Sequence, residues 1–203
     1  MKTVRKAFTL IELLIVIAVL GILAVAVLSA INPVEQINRS RDTGKRSDAE
    51  QLLSAIDRFY ASAGYYPWQS GSTDSSDFTV LTKVTAEEPV KVAGCTLLDM
   101  LSSGVEGLEG CVGTEELKNS FNSRITALDN QNLPKERPLY LYYDSTAPSA
   151  STYVCFVPQS GAFKREADDR CLDGNIPDDL DEDLVCNVAE MDGETDVSLT
   201  CLP

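Results

Sequence analysis

One acidic residue, Glu12, lies inside an apolar run that extends from Phe8 to Ile31. A helix of that length would measure about 36 Å at 1.5 Å per residue, enough to cross a hydrocarbon core of about 30 Å. The run contains no Lys, Arg or His that could neutralise the carboxylate. Because an ionised acid in lipid is costly, Glu12 marks a functional position and needs a cation from outside the run.

The segment before the apolar run carries three positive charges, on Lys2, Arg5 and Lys6, and no negative charge. Basic residues beside a first membrane helix stay in the cytoplasm, so we expect the rest of the chain outside. Two simpler explanations are an inert membrane anchor and a secretory signal peptide, for which Ala30 would supply the small residue at the cut. The length of the run and its acid disfavour the signal peptide.

The same residues strongly resemble the type IV prepilin and pseudopilin family. The likeness is carried by Lys6-Ala7, by the following Phe8-Thr9-Leu10-Ile11-Glu12-Leu13-Leu14-Ile15-Val16, and by Gly21-Ile22-Leu23-Ala24. In that family a prepilin peptidase cuts before the apolar run on the cytoplasmic side and methylates the new N-terminus. The resemblance implies that Ala7 ends the leader, that Phe8 becomes the first residue, and that Glu12 pairs with the α-amino group of a neighbouring Phe8. A buried charge is tolerated when it is paired in this way.

Two positions depart from the family's usual pattern. Ala7 stands where glycine usually precedes the cut, which implies slower cleavage. Ser29 stands where many members have a proline in the apolar helix, and the nearest proline here is Pro33. Since a residue before proline disfavours the α region, we predict a break in the helix at Asn32-Pro33.

The expected organisation has four segments. Residues 1–7 are the cleaved leader, 8–31 the transmembrane and filament-core helix, 32–63 an amphipathic stalk helix, and 64–203 a globular head with an acidic, cysteine-containing C-terminal region. The fold class is α+β. The long N-terminal helix, half transmembrane and half amphipathic, packs on a small antiparallel sheet, and the irregular C-terminal region is stabilised by disulfides.

The stalk helix and the head have local signals for individual elements. An apolar stripe from Leu52 to Tyr60 should pack beneath the sheet, Gly64 should end the helix, and Ser47 with Glu50 fits a capping box at which the helix would restart after Gly44. Short helices are predicted over 97–101 and 115–128, and strands over 139–143, 153–157 and 162–166, the first two forming a hairpin. The Tyr65-Tyr66-Pro67-Trp68 turn should attach the following loop to the head.

All six cysteines follow the apolar run, at Cys95, Cys111, Cys155, Cys171, Cys186 and Cys201. An even number on the outward side indicates disulfides. The chain has no Cys-x-x-Cys and no histidine, which disfavours zinc. Six cysteines allow fifteen connectivities, among which the similar spacings favour sequential pairing: Cys95–Cys111, Cys155–Cys171 and Cys186–Cys201.

The region from Asp168 to Asp183 is rich in carboxylates, and calcium requires six to eight oxygen ligands. The candidate ligands are Asp173, Asn175, Asp178, Asp179 and Asp181. Some pseudopilins bind calcium near this end, although the segment lacks the glycine of an EF-hand loop. The alternative is a disulfide-bound acidic surface loop, and no other cofactor is expected.

Charge limits the partners of this chain. Removing the leader leaves 14 Lys and Arg against 31 Asp and Glu, a balance of −17. Such a surface repels nucleic acid, so no direct nucleic-acid binding is expected. The membrane-proximal cations Arg39, Arg41, Lys45 and Arg46 leave three alternatives open: contact with anionic lipid, contact with acidic heads of neighbouring subunits, or simple solvation.

No enzymatic activity is expected. Histidine is absent, as are the phosphate-loop, nucleophile-elbow and dinucleotide-binding motifs. The resemblance implies a structural subunit of a type IV pilus, the major one because Glu12 is retained; the alternative is a pseudopilin of a type II secretion or DNA-uptake machine. A membrane-tethered binding module is a third hypothesis, and it would need neither Glu12 nor leader removal.

The resemblance also implies partners and a location. The partners are other copies in a helical homopolymer, the prepilin peptidase and methylase, an inner-membrane assembly platform with its ATPase, and membrane lipid. Before assembly the chain would cross the cytoplasmic membrane once, with its head outside. Afterwards it would belong to an extracellular pilus or an envelope filament.

Overall fold

The computed structural model describes residues 8–30, 32–75, 78–84, 91–92, 94–104, 111–126, 138–147, 150–191 and 194–203. The chain divides into two compact units, Met1–Ile37 and Asn38–Pro203. The division falls inside the predicted stalk segment, so most of that segment belongs to the same unit as the head.

The described part of the N-terminal unit is mostly helical. Helix α1 spans Leu10–Ala30 and helix α2 begins at Pro33, so the predicted break at Asn32-Pro33 is confirmed. Proline suits the first helical position because the N–H it lacks would have no partner there. Asn32 caps α2, since its Oδ1 accepts a hydrogen bond from the Glu35 N–H at 3.4 Å.

Helix α2 continues without interruption to Ala63. The restart predicted at Ser47 is therefore wrong: glycine at position 44 costs only about 1 kcal/mol in a helix, and burial of the following turns outweighs it. Ala49, Leu52 and Ile56 are fully buried. Gly64 ends the helix as predicted, with φ +78° and its N–H donating to the Tyr60 carbonyl at 2.8 Å.

The remaining elements form the head. In chain order they are β1 (Phe78–Lys83), β2 (Lys91–Val92), β3 (Cys95–Thr96), α3 (Leu97–Leu101), α4 (Asn119–Thr126), β4 (Leu139–Tyr143), β5 (Thr152–Phe156), α5 (Gly161–Leu172), α6 (Glu182–Val185), β6 (Val188–Met191), β7 (Glu194–Val197) and β8 (Thr200–Leu202). Strands β1-β4-β5-β8 make the main antiparallel sheet, while β2-β3 and β6-β7 make two small ones. The predicted β4–β5 hairpin is confirmed.

The two faces of the main sheet bury different cores. Leu139, Leu141 and Phe156 face a first core, which includes α3, Phe121 of α4 and the stripe from Ala49 to Phe59 of α2. The alternate residues face a second core, formed with Leu180, Val185, Val197 and Leu199 from the C-terminal region. This alternation follows from the two-residue period of a strand.

Two predicted elements differ from the observed ones. The segment predicted as a strand over 162–166 lies in helix α5, because Ser160 caps it by accepting from the Phe163 N–H at 3.4 Å and the residues between Ala162 and Ala167 are mostly good helix formers. The outer strands are β1 and β8 instead. The helix predicted over 115–128 spans only Asn119–Thr126, and positions 127–128 lie outside the described residues. The helix predicted at Leu97–Leu101 is confirmed.

The aromatic turn after α2 attaches to the head as predicted. Trp68 is 3% exposed and stacks on Tyr66, with ring centroids 4.6 Å apart. Tyr66 also stacks on Tyr60 of α2 at 4.5 Å and contacts Tyr143 of β4 at 4.6 Å. The turn thus connects the end of the helix to the sheet.

Candidate assembly site

The start of α1 places an acid one turn from the predicted mature N-terminus. Thr9 caps the helix: its Oγ1 accepts from the Glu12 N–H at 3.3 Å, and its carbonyl accepts from the Leu13 N–H at 3.2 Å. Glu12 is therefore the third residue of the helix. A carboxylate in the first turn is favoured by the positive end of the helix dipole.

Apart from Glu12 and Ser29, the side chains of α1 are apolar, and those of Leu10–Leu28 are exposed. Among the large side chains the exposed fraction runs from 48% at Val16 to 83% at Leu10, and Phe8 before the helix is 83% exposed. By length and composition, Leu10–Leu28 is able to cross a membrane. A helix that is apolar on all sides must be covered by lipid or by protein, so α1 needs a partner on every face.

The structure describes only part of the predicted cleavage site. Ala7 lies outside the described residues, whereas Phe8 and Glu12 lie on the same exposed end of α1. Exposure of both residues is what pairing with a second copy would require, and the cut at Ala7-Phe8 remains a prediction.

A buried acid that the sequence analysis did not single out holds α2 and α5 together. Asp42 is 1% exposed. Its carboxylate accepts hydrogen bonds from the Gln159 N–H at 2.9 Å, the Ser160 N–H at 2.7 Å and the Ser160 hydroxyl at 2.7 Å. Asp42 thus satisfies donors at the N-terminus of α5. The sequence held one sign that Asp42 is buried: it lies seven residues before Ala49, and residues at that spacing share one face of a helix.

The four membrane-proximal cations do not share one environment. Arg39 and Arg41 are exposed, and Lys45 is half-buried. Arg46 contacts carboxylates of its own chain, Glu166 at 3.5 Å and Glu50 at 3.8 Å. The sequence left three alternatives open, and intramolecular pairing of Arg46 was not among them. The roles of Arg39 and Arg41 remain predictions.

The six cysteines form three disulfides: Cys95–Cys111, Cys155–Cys201 and Cys171–Cys186. Sequential pairing is right for the first bridge and wrong for the other two. Strand pairing sets Cys155 directly opposite Cys201, with Cα atoms 4.0 Å apart. Cys171 at the end of α5 then pairs with Cys186, so one bridge is nested inside the other.

The calcium candidates do not converge. Within the described residues, no group of three or more His, Cys, Asp or Glu side chains is placed to hold a metal. The Asp179 carboxylate instead accepts from the Tyr153 hydroxyl at 2.6 Å and the Ser151 N–H at 2.9 Å, and Asp181 caps α6. Burial raises the pKa of Asp179, but these hydrogen bonds outweigh it and lower the pKa below the ordinary value. Asp173 lies at the C-terminal cap of α5, while Asn175 and Asp178 are exposed.

Comparison with known proteins agrees with the N-terminal geometry. Residues 2–28 match the family model of the prokaryotic N-terminal methylation motif. The type IV major pilin protein PilE1 of Neisseria gonorrhoeae is 37% identical over 107 residues, which are 52% of this chain and 63% of that protein. The type IV major fimbrial protein FimA of Dichelobacter nodosus is 33% identical over 112 residues, 53% of this chain and 70% of that one.

The fimbrial protein EcpC of Eikenella corrodens is 33% identical over 126 residues, 60% of this chain and 79% of that protein. The chain thus spans slightly less than two thirds of the gonococcal relative and more than two thirds of the other two. No solved structure matches significantly. The chain combines an exposed apolar N-terminal helix, an acid in its first turn and a disulfide-bonded α+β head. The chain belongs to the type IV pilin family.

Proposed function

We propose that this chain is the major structural subunit of a type IV pilus. The observation that supports the proposal is α1, an exposed, predominantly apolar helix that carries Glu12 in its first turn and is preceded by the exposed Phe8. In a filament, neighbouring helices would cover each other's apolar surfaces, and the Glu12 carboxylate would meet the α-amino group of another copy's Phe8.

The proposal includes a processing and assembly route. A prepilin peptidase cuts between Ala7 and Phe8 and methylates the new amine, and an inner-membrane platform with its ATPase extracts the subunit from lipid. Segment 8–31 becomes the filament core, and the chain moves from the cytoplasmic membrane to the cell surface. The role is structural and not enzymatic.

The alternative role, a pseudopilin of a secretion or DNA-uptake machine, uses the same N-terminal chemistry. The relatives favour the pilus subunit, since three of them are named as a major pilin, a major fimbrial protein and a fimbrial protein.

The test combines fibre sequencing with substitution of the acid. Sheared surface fibres should begin with methylated Phe8, and Glu12→Ala should abolish fibres while the chain still reaches the membrane. Glu35→Ala, in the first turn of α2, is the matched control and should leave fibres intact. Fibres that begin at Met1, or normal fibres from Glu12→Ala, would contradict the proposal.

A further inference from the structure

Positive charge is concentrated in the first turns of α2, directly after the apolar run. Residues 32–47 carry four Lys and Arg against two Asp and Glu, a balance of +2, whereas residues 48–203 carry 10 against 28, a balance of −18. Neither acid of the first segment is fully exposed, since Asp42 is 1% exposed and Glu35 is half-buried. The exposed charge of residues 32–47 is therefore positive.

The exposed cations of this segment are Arg39 and Arg41. Neither forms an ion pair with a carboxylate of the described residues, in contrast to Arg46, which contacts two carboxylates of its own chain. Asp42 is next to Arg41 in the sequence, but its oxygens already accept hydrogen bonds from donors at the N-terminus of α5. The charge of the two exposed arginines is thus available to an anion that is not part of this chain.

Both arginines lie close to the end of the candidate membrane span. The span Leu10–Leu28 would measure about 28 Å as a helix, near the thickness of about 30 Å of a hydrocarbon core, and the apolar run ends at Ile31. Arg39 follows eight residues later, which is about 12 Å along a helix. Headgroups add about 5–7 Å on each side of the core. Helical side chains tilt toward the helix N-terminus and long cationic ones extend to the interface, so both guanidinium groups can reach the headgroups.

Two exposed apolar side chains precede the arginines. Val34 is 62% exposed and Ile37 is 54% exposed, and their spacing places them on one face of α2 together with Arg41. Apolar side chains flanked by cations are typical of a lipid boundary, where the former meet acyl chains and the latter meet headgroups. The acidic head of a neighbouring copy would attract the arginines, but its charge gives no reason for the exposed valine and isoleucine. The combination favours lipid.

We propose that, before assembly, Arg39 and Arg41 bind the phosphates of anionic phospholipids on the head side of the membrane, with Val34 and Ile37 at the boundary of the acyl chains. The inference rests on the proposed function, because it requires α1 to span the membrane. The contact fixes the depth of α1 and therefore of Glu12, while the negative charge of residues 48–203 keeps the head away from the same lipid. Subunits held at equal depth present their acids and N-termini at matching heights.

The direct test is photocrosslinking of the unassembled full chain to lipid. The vesicles contain equal amounts of phosphatidylcholine and phosphatidylglycerol, and benzoylphenylalanine replaces Ile37. Irradiation should give lipid adducts in which phosphatidylglycerol is enriched at least about fivefold, the factor expected for one cation near an anionic surface. The same probe at Leu20, in the middle of α1, should give adducts of both lipids without enrichment. At Val80, a 60% exposed valine on β1, it should give none.

Charge reversal tests the assignment to the two arginines. Arg39→Glu combined with Arg41→Glu should abolish the enrichment at position 37. The matched control is Lys118→Glu combined with Arg165→Glu, which changes the net charge equally at two exposed cations of the head and should leave the enrichment intact. For the unsubstituted chain, raising the salt concentration from about 0.01 M to about 1 M should also remove it.

Three results would overturn the contact. The first is an absence of lipid adducts at position 37 while the probe at Leu20 reacts. The second is a set of adducts without enrichment, or an enrichment that survives reversal of both arginines. The third is a crosslink from position 37 to the head of another copy in these vesicles, which would assign the surface to a protein partner.

The contact and the pilus proposal fail in different ways. Fibres that begin at Phe8 and require Glu12, together with no enrichment at position 37, contradict only the lipid contact. Fibres that form independently of Glu12 contradict the pilus proposal and leave the lipid measurement valid. An absence of lipid adducts at Leu20 would contradict membrane insertion and therefore both.

Discussion

Asp42 connects α2 to the start of α5 through hydrogen bonds to its carboxylate. A carboxylate removed from water needs compensating donors, and Asp42 has three, all from Gln159 and Ser160. Hydrogen bonds to a charged group are stronger than those between neutral groups. The same carboxylate also satisfies N–H groups at the start of α5.

Replacing Asp42 should therefore destabilise the head strongly. Asp42→Ala leaves buried N–H donors without acceptors and should lower the free energy of unfolding by about 2–4 kcal/mol. Chemical unfolding of the full chain in detergent measures the change. The control is Asp57→Ala on the exposed face of α2, for which we expect a change within about 0.5 kcal/mol. Equal effects of the two substitutions would contradict the role of Asp42.

The lowered pKa of Asp179 allows a prediction of how the stability of the head depends on pH. Its folded pKa lies below the ordinary value of 3.8, because hydrogen bonds from Tyr153 and Ser151 outweigh the effect of burial. A group with a depressed folded pKa contributes stability that is fully present above the unfolded pKa and is lost as pH falls through the folded pKa. The loss should therefore occur below about pH 4.

Unfolding curves of the full chain in detergent, recorded from about pH 6 down to about pH 2, test this prediction. Asp179→Asn should be less stable at the upper limit, and its stability should fall less steeply below about pH 4. Asp178→Asn is the neighbouring control, since Asp178 is exposed. Parallel pH curves for Asp179→Asn and the unsubstituted chain would rule out the assignment.

At the scale of elements, the two disulfides of the C-terminal region connect different elements and close loops of different length. Cys155–Cys201 joins the paired strands β5 and β8 and spans 46 positions, whereas Cys171–Cys186 spans 15 and connects the end of α5 to the end of α6. In the chain-entropy model the longer loop contributes about 4 kcal/mol and the shorter about 3 kcal/mol.

Nonreducing digestion and mass mapping should recover a Cys155–Cys201 peptide and a Cys171–Cys186 peptide. The double variant Cys155→Ser with Cys201→Ser should be destabilised more than Cys171→Ser with Cys186→Ser, by about 1 kcal/mol in the same model. Recovery of Cys155–Cys171 would show that the sequential pairing is correct after all.

At the scale of the whole molecule, charge opposes side-by-side contact between assembled heads. Removal of the proposed leader would leave a balance of −17, so that neighbouring heads in the proposed fibre would repel each other. The range of this repulsion falls from about 30 Å at 0.01 M salt to about 3 Å at 1 M.

Purified fibres should accordingly stay dispersed at about 0.01 M salt and form bundles near 1 M. Light scattering and electron microscopy of negatively stained fibres measure the transition. The matched control is neutral sucrose at equal osmolality, which does not screen charge and should leave the fibres dispersed. Bundling that is independent of salt would contradict an electrostatic origin.

The sequence alone determined the features that depend on neighbouring residues. The apolar run with Glu12, the break at Pro33, the end of α2 at Gly64 and the β4–β5 hairpin follow from local composition and backbone geometry. The family likeness also lies in one continuous stretch, so it was visible without any tertiary contact.

Only the tertiary structure decided the features that join distant positions. Position 42 meets 159–160 across more than a hundred residues, and Cys155 meets Cys201 because β8 pairs with β5. The helix that contains 162–166 starts where Asp42 of α2 accepts hydrogen bonds from the Gln159 and Ser160 N–H groups. Spacing along a chain cannot reveal such partners, since hydrogen bonds and disulfides form between groups that folding brings within a few ångströms.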